Sequence, residues 1–272
     1  MKNILKKFVK IISISVIIFY ALAISAMYFM QDTLIFEPNT DIPDPKQTSL
    51  PPLEEKHITT SDGIKLLVWE YIGSPDKPTI LYFQGNAGNL ETQARIVNPL
   101  MRANYTVIMV EFRGFGGNLG TPSELGLYED ARAGIKYAKS LGLKESQLIL
   151  YGRSLGTAVV TKMATEIEAK GVILQAPFTS IPDVGANQYP FLPVHYLAKH
   201  HFDNLSRIKD ITESLFIFHG DADVTVPPFL TKRLFEAANE PKQLVTIQGG
   251  GHSNIFLNGG NDAVLAWLSE LQ

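Results

Sequence analysis

The chain contains no cysteine. That absence removes disulfides, thiolate nucleophiles, lipid-modified cysteines and cysteine-ligated metal sites in one step. Excess positive charge is missing too: 24 Lys and Arg against 27 Asp and Glu leave a formal net charge of -3. Without a basic surplus there is no electrostatic footprint for nucleic acid. Six histidines are present, but none stands in a His-x-x-x-His spacing within an acidic setting. His195, His200 and His201 cluster among basic and apolar neighbours, which reads as a surface or lid face rather than a metal site. A glycine-rich stretch, Gly85-Asn-Ala-Gly88, lacks the Lys-Ser/Thr that would complete a phosphate loop. No cofactor and no metal are therefore expected.

What is present begins with an uncharged apolar run from Ile11 to Met30, preceded by Lys2, Lys6, Lys7 and Lys10. Twenty residues at helical rise reach about 30 Å, the hydrocarbon thickness of a bilayer. The run reads as a transmembrane signal anchor (11–30) behind a short basic tail (1–10). By the positive-inside rule the tail lies in the cytoplasm and the rest of the chain emerges on the extracytoplasmic side. Cleavage after Ala21-Leu-Ala23 is the competing reading; against it, the run stays apolar through Ile24, Met27, Phe29 and Met30. Pro38, Pro43, Pro45, Pro51 and Pro52 mark a Pro-rich linker over 31–54, expected to be an extended spacer.

From residue 55 onward short apolar runs alternate with helical periodicity. Lys56–Thr60 and Ile64–Ile72 flank Ser61-Asp-Gly63 as a hairpin, and 79–83, 105–110, 148–151, 171–175, 214–219 and 243–248 read as further strands. Strands separated by helices imply a single α/β domain over 55–272, built on a mostly parallel sheet covered on both faces. Residues 177–206 interrupt the alternation with Pro177, Pro182, Pro190, Pro193 and several aromatics, and are expected to form a small lid.

One stretch carries chemistry. Gln147-Leu-Ile-Leu-Tyr-Gly-Arg-Ser-Leu-Gly156 reads as strand, sharp turn, helix, with Ser154 at the turn between Gly152 and Gly156. This is the pattern of a nucleophile elbow, which holds a serine hydroxyl exposed at a strand end. A serine is a poor nucleophile without a base, and in such a sheet the ligand site lies beyond the carboxyl ends of the strands. The strand at 214–219 empties into Gly220-Asp-Ala-Asp223, and the last strand empties into Gly249-Gly-Gly-His252. His252 is the expected base; either Asp221 or Asp223 is chemically able to orient it. His219 precedes the acid and reads as a strand-end residue with local bonds. For the oxyanion the backbone N–H of Leu155 is one expected donor, and Asn86, or next Ala87, is the other.

Tyr82-Phe-Gln-Gly-Asn-Ala-Gly-Asn89, Glu111-Phe-Arg-Gly-Phe-Gly116, Gly120-Thr-Pro-Ser-Glu124, Gly152-Arg-Ser-Leu-Gly156, Gly220-x-x-Asp223 and Gly251-His252 occur in this order. Together they resemble the α/β-hydrolase superfamily, and within it the Bem46-like branch related to the α/β-hydrolase-domain proteins 12, 13 and 17. The resemblance covers about 55–270. It implies the eight-stranded α/β-hydrolase fold and a triad of Ser154, Asp223 and His252, choosing Asp223 over Asp221. Membrane-anchored members are common in that branch. The chain departs from the pattern at Gln84, where the branch usually has His, at Glu111 in place of Asp, at Gly117-Asn118 and at Thr157. Arg113 and Arg153 read as loop-bracing residues, with Glu111 a partner.

The expected function is a membrane-anchored serine hydrolase cleaving carboxylic esters or thioesters through an acyl-enzyme. Small-molecule or lipid-like acyl substrates are the expected partners, with Phe178, Tyr189, Phe191 and Tyr196 as lid aromatics. A serine aminopeptidase-like amide hydrolase and a catalytically silent binding protein on the same fold are the alternatives.

Overall fold

Alternation of side chains decides the layering. In the computed structural model, which describes residues 2–48 and 50–271, every strand near the centre of the main sheet sends successive residues to opposite faces. Leu148 and Leu150 pack on one side with Leu81, Phe83 and Val110, while Ile149 and Tyr151 pack on the other with Ile80, Tyr82 and Met109. Both faces are apolar because both are covered by helices.

The strands of that sheet are β2 (Glu54–Thr59), β3 (Lys65–Tyr71), β4 (Thr79–Phe83), β6 (Val107–Val110), β7 (Leu148–Arg153), β8 (Gly171–Gln175), β9 (Ser214–Gly220) and β10 (Lys242–Ile247). Two further two-residue strands, β1 (Glu37–Pro38) and β5 (Ala87–Gly88), pair with each other outside it. The eight strands lie in the order β10-β9-β8-β7-β4-β6-β3-β2, parallel except where β3 meets β2 and β6.

The helices are α1 (Lys2–Ile35), α2 (Leu90–Arg102), α3 (Glu124–Ser140), α4 (Leu155–Met163), α5 (Ile181–Gln188), α6 (Val194–Leu197), α7 (Asn204–Arg207), α8 (Pro228–Ala237) and α9 (Gly260–Glu270). Leu90, Val97, Leu100 and Met101 of α2 join Val264, Trp267 and Leu268 of α9 on one face. Leu127 and Ala131 of α3, Val159 and Met163 of α4, and Leu230 and Leu234 of α8 cover the other. Ser123 caps α3 through the Gly126 amide (3.1 Å) and Ser180 caps α5 through the Asp183 amide (3.1 Å).

Two sequence expectations change. The strand expected from Tyr105 begins at Val107, because the Tyr105 amide is used to close α2 by donating to the Leu100 carbonyl. The segment expected as an extended spacer over 31–54 is instead docked. Helix α1 continues through Ile35, Phe36 is buried against the domain, and β1 pairs with β5 in parallel. The Glu37 amide donates to the Asn86 carbonyl (2.8 Å), and the Gly116 amide donates to the Asn39 carbonyl (2.8 Å). A short 3-10 turn at Pro45–Gln47 follows, started by Asp44 with proline at its first position, where a missing N–H costs nothing. Prolines kept the segment out of a long helix, yet its free carbonyls and amides were still available for pairing.

By length and composition α1 is apolar enough to cross a membrane, and none of its residues is buried. It exceeds the expected span of 11–30 at both ends.

Candidate active site

Ser154 sits between β7 and α4 with φ 49° and ψ -116°. A non-glycine residue in that region is strained, and here the strain aims the side chain out of the sheet end. The flanking glycines are required by space. A Cβ on Gly156 would overlap the carbonyl oxygens of Phe83 and Gln84, and one on Gly152 would overlap the backbone of Gly156. Strand, turn and helix therefore approach more closely than any side chain permits.

The predicted partners converge on this serine. Ser154 Oγ lies 2.9 Å from His252 Nε2, and His252 Nδ1 lies 2.7 Å from Asp223 Oδ2. With Nδ1–H donated to the carboxylate, the Nε2 lone pair faces the serine hydroxyl. Asp221 is elsewhere: it is exposed, and its Oδ1 accepts from the Gly249 amide at 2.7 Å, tying together the two loops that carry Asp223 and His252.

Asp223 is more heavily bonded than the sequence suggests. Its Oδ1 accepts from the amides of Thr225 (2.8 Å) and Val226 (2.9 Å). Its Oδ2 serves not only His252 but also His219 Nε2 at 2.9 Å, and His219 Nδ1 in turn contacts Thr231 Oγ1. Thr231 donates onward to the Pro177 carbonyl (2.5 Å). Burial alone would raise the Asp223 carboxyl, but the bonds from His219 and His252, the charge of His252 and the Val226 amide hold it well below the usual carboxylate range. His219 is thus a second support of the acid. The only sequence signal for it was the i,i+4 spacing of His219 and Asp223 across the end of β9.

The donors expected for an oxyanion are adjacent. Leu155 opens α4, so its amide is among those left free at a helix N-terminus. Leu155 and Asn86 line the same cavity as Ser154, whereas Ala87 lies in β5. The loop runs beside the serine: a Cβ on Gly85 would be in van der Waals contact with Ser154 Cβ at 3.4 Å.

Behind that loop lies a carboxylate that the sequence assigned differently. Glu111 does not pair with Arg113 or Arg153. It is buried and accepts from Gln84 Nε2 (2.6 Å) and from the Leu90 amide (2.8 Å), at the N-terminus of α2 where unpaired amides point. Burial pushes its carboxyl up to about 8, against those two bonds. Gln84, standing where the related branch usually has His, therefore fixes the loop as an amide donor. Arg113 instead joins the hairpin turn to α3, with Nη1 2.7 Å from Asp62 Oδ2 and Nε 2.8 Å from Asp130 Oδ1. Asn118 braces the same loop, donating to the carbonyls of Glu111 (3.0 Å) and Phe112 (3.2 Å). Thr157 turns its hydroxyl to the Ser154 carbonyl (2.6 Å) instead of toward the cavity.

The cavity above Ser154 has a volume of about 330 Å³, within the range of small-molecule sites. Phe178, Val184, Tyr189, Leu192 and Leu197 of the lid segment form one wall, and Met27, Gln31, Leu34 and Ile35 of α1 form another. Of the four expected lid aromatics, only Phe178 and Tyr189 line it; Phe191 and Tyr196 point outward, 65% and 92% exposed. Among the described residues no group of three or more His, Asp or Glu side chains is arranged to hold a metal ion. His200 contacts Asp32 Oδ1 at 3.0 Å, and His195 lies 3.7 Å from Asp183.

Comparison with known proteins agrees with this architecture. The family described as serine aminopeptidase, S33, matches residues 74–206. The protein Rv2307c of Mycobacterium tuberculosis is 33% identical over 251 residues, covering 90% of this chain and 89% of its own. The α/β-hydrolase domain-containing protein WAV2 of Arabidopsis thaliana is 30% identical over 242 residues, covering 80% of this chain and 77% of its own. A membrane protein of Saccharomyces cerevisiae, YNL320W, is 29% identical, covering 88% of each chain. Among solved structures, the Pyrococcus furiosus esterase PF2001 superposes with a TM-score of 0.66 at 21% identity, over 87% of this chain and 96% of that one, which is a likeness of fold. With the shared fold and relatives at 30% identity or more aligned along most of their own length, the chain belongs to the α/β-hydrolase superfamily.

Proposed function

We propose that this chain is a membrane-anchored serine hydrolase that cleaves carboxylic esters or thioesters through an acyl-enzyme. One observation carries the reading: the unbroken line from Ser154 Oγ through His252 to the buried Asp223 carboxylate, with both bonds at 2.9 Å or less. In the first half-reaction His252 Nε2 takes the Ser154 proton as Oγ attacks the acyl carbon, and then gives that proton to the leaving oxygen or sulfur. Asp223 keeps Nδ1 protonated and stabilises the imidazolium formed in between. Negative charge on the carbonyl oxygen falls to the amides of Leu155 and Asn86. Water, activated by the same imidazole, releases the acid in the second half. The esterase fold neighbour and the mainly apolar cavity walls support an acyl substrate. The family description, serine aminopeptidase, supports amide cleavage as the second reading, and the same catalytic groups serve both bonds.

In this reading residues 1–10 form a basic cytoplasmic tail, the apolar part of α1 is the anchor, and the hydrolase domain works on the extracytoplasmic side. The membrane assignment of the yeast relative supports the anchor, and the four lysines at the start of α1 support the orientation. Labelling by a fluorophosphonate probe tests the chemistry. It is expected in the wild type and absent in Ser154→Ala; labelling that persists in that variant would reject Ser154 as nucleophile.

A further inference from the structure

The lid is not confined to the hydrolase domain; it runs along the anchor. Gln31 of α1 grips its base, with Nε2 donating to the Leu197 carbonyl (3.2 Å) and Oε1 accepting from the Lys199 amide (2.7 Å). At the same level Asp32 meets His200 and, at 3.7 Å, Lys199. Eleven residues earlier, Tyr20 Oη donates to the Phe191 carbonyl at 2.8 Å. Helical rise puts these two contacts about 16 Å apart along α1. Charged groups gather at the first, whereas the second falls in the middle of the apolar run 11–30. From Val184 to Ala198 the lid has no Asp, Glu, Lys or Arg, and it exposes Phe191 at its far end and Tyr196 just before the Gln31 grip.

We propose that the lid tip around Phe191, 189–193, is immersed in the lipid leaflet beside α1, so that the cavity opens to the acyl chains of the bilayer rather than to water. The inference rests on the reading of α1 as a membrane anchor and gives the proposed hydrolase its substrate class: esters or thioesters whose acyl chain already lies in the membrane. A helix that spans the bilayer over 11–30 carries Tyr20 near mid-depth, and the bond from Tyr20 brings Phe191 with it. An exposed aromatic on an uncharged segment suits that position, while Asp32, Lys199 and His200 mark the polar boundary. Met27, Gln31, Leu34 and Ile35 recur at helical spacing on one side of α1 and line the cavity, so an acyl chain can slide along the anchor toward Ser154 without crossing water.

Fluorescence quenching in vesicles tests this on the full chain. Trp69 and Trp267 are both buried, so an added indole is read by difference from the wild type. The protein is reconstituted in phosphatidylcholine vesicles with and without brominated acyl chains, as Phe191→Trp, as Phe19→Trp on the lipid side of α1, and as Leu141→Trp at the far end of α3. The expected result is a loss of about half the added emission at positions 19 and 191 and none at 141. Quenching at 19 without quenching at 191 overturns the immersed lid and leaves the anchor intact. Quenching at neither overturns both. A second measurement compares hydrolysis of a long-chain ester dissolved in the vesicles with that of a short water-soluble ester. Joint Phe191→Ser and Tyr196→Ser substitution is expected to lower the ratio of their kcat/KM values roughly tenfold through KM; an unchanged ratio counts against leaflet entry. Neither quenching arm requires turnover, so a failure of the hydrolase reading is seen separately, in Ser154→Ala.

Discussion

Ser154 has two unlike neighbourhoods. On the sheet side it is surrounded by β7, α4 and the loops after β9 and β10, where His252 is bonded through both ring nitrogens and Asp223, almost wholly buried, accepts at both carboxylate oxygens. On the cavity side it faces Met27, Leu34, Val184 and Leu192, apolar surfaces that belong to α1 and the lid and are joined by a handful of contacts. The sheet side is over-determined, as proton transfer requires positions fixed to fractions of an ångström. The cavity side rests on apolar packing, which tolerates repacking and so sets which substrate fits. Chemistry and selectivity are held by different physical means within one site.

Breaking the sheet side should produce the largest effects. Asp223→Asn leaves the size of the side chain unchanged but removes the charge that orients His252; kcat for an ester substrate is expected to fall on the order of 10⁴-fold, measured by steady-state kinetics. A fall of less than tenfold would mean that Asp223 is structural only. Gly156→Ala drives a Cβ into the carbonyls of Phe83 and Gln84. About 3 kcal/mol of stability should be lost, seen as a drop of roughly 6–12 °C in thermal midpoint.

His219→Gln sharpens the contrast, since it removes one of two imidazoles on the same carboxylate oxygen while keeping a donor in reach. The expectation is a loss of roughly tenfold in kcat with KM little changed, because His219 supports the acid and does not line the cavity. An unaltered kcat would remove His219 from the catalytic line. The smallest effect concerns Glu111. Its folded carboxyl keeps a proton up to about 8, while an unfolded glutamate releases it near 4.5. The folded state therefore binds more protons between those values, and stability falls as pH rises through that window. Glu111→Gln should flatten this slope, gaining relative to wild type at pH 8.5 and not at pH 4.5, when thermal midpoints are compared. A parallel slope in both proteins would show that Glu111 is ionised throughout.

The same division explains what could be read from the sequence. Gly152, Ser154 and Gly156 announce themselves because close backbone approach leaves no alternative residue; strand order fixes which loops meet and so points to His252 and to the pair Asp221 and Asp223, between which only the family resemblance chooses. Short continuous apolar runs gave the strands to within a residue or two, since a sheet covered on both faces demands them. The docking of Glu37–Asn39 on the oxyanion loop was hidden: backbone pairing carries no side-chain signature, and five prolines pointed to a spacer. Equally hidden was the wall formed by Met27, Leu34 and Ile35, because residues that face lipid and residues that face a cavity have the same apolar composition. Glu111 was assigned to Arg113 by charge, whereas geometry gave Arg113 the two aspartates and left Glu111 to a helix N-terminus.

Anchor helices are commonly cut away so that an enzyme can be handled without detergent. In this protein a cut after residue 36 would take Phe36 out of the core, leave Glu37 as a loose end beside Asn86, and strip one side from the acyl channel. On the proposed reading the remnant would keep its serine, histidine and aspartate and turn over small esters. Its preferences among longer ones would belong to an enzyme that the intact chain never forms.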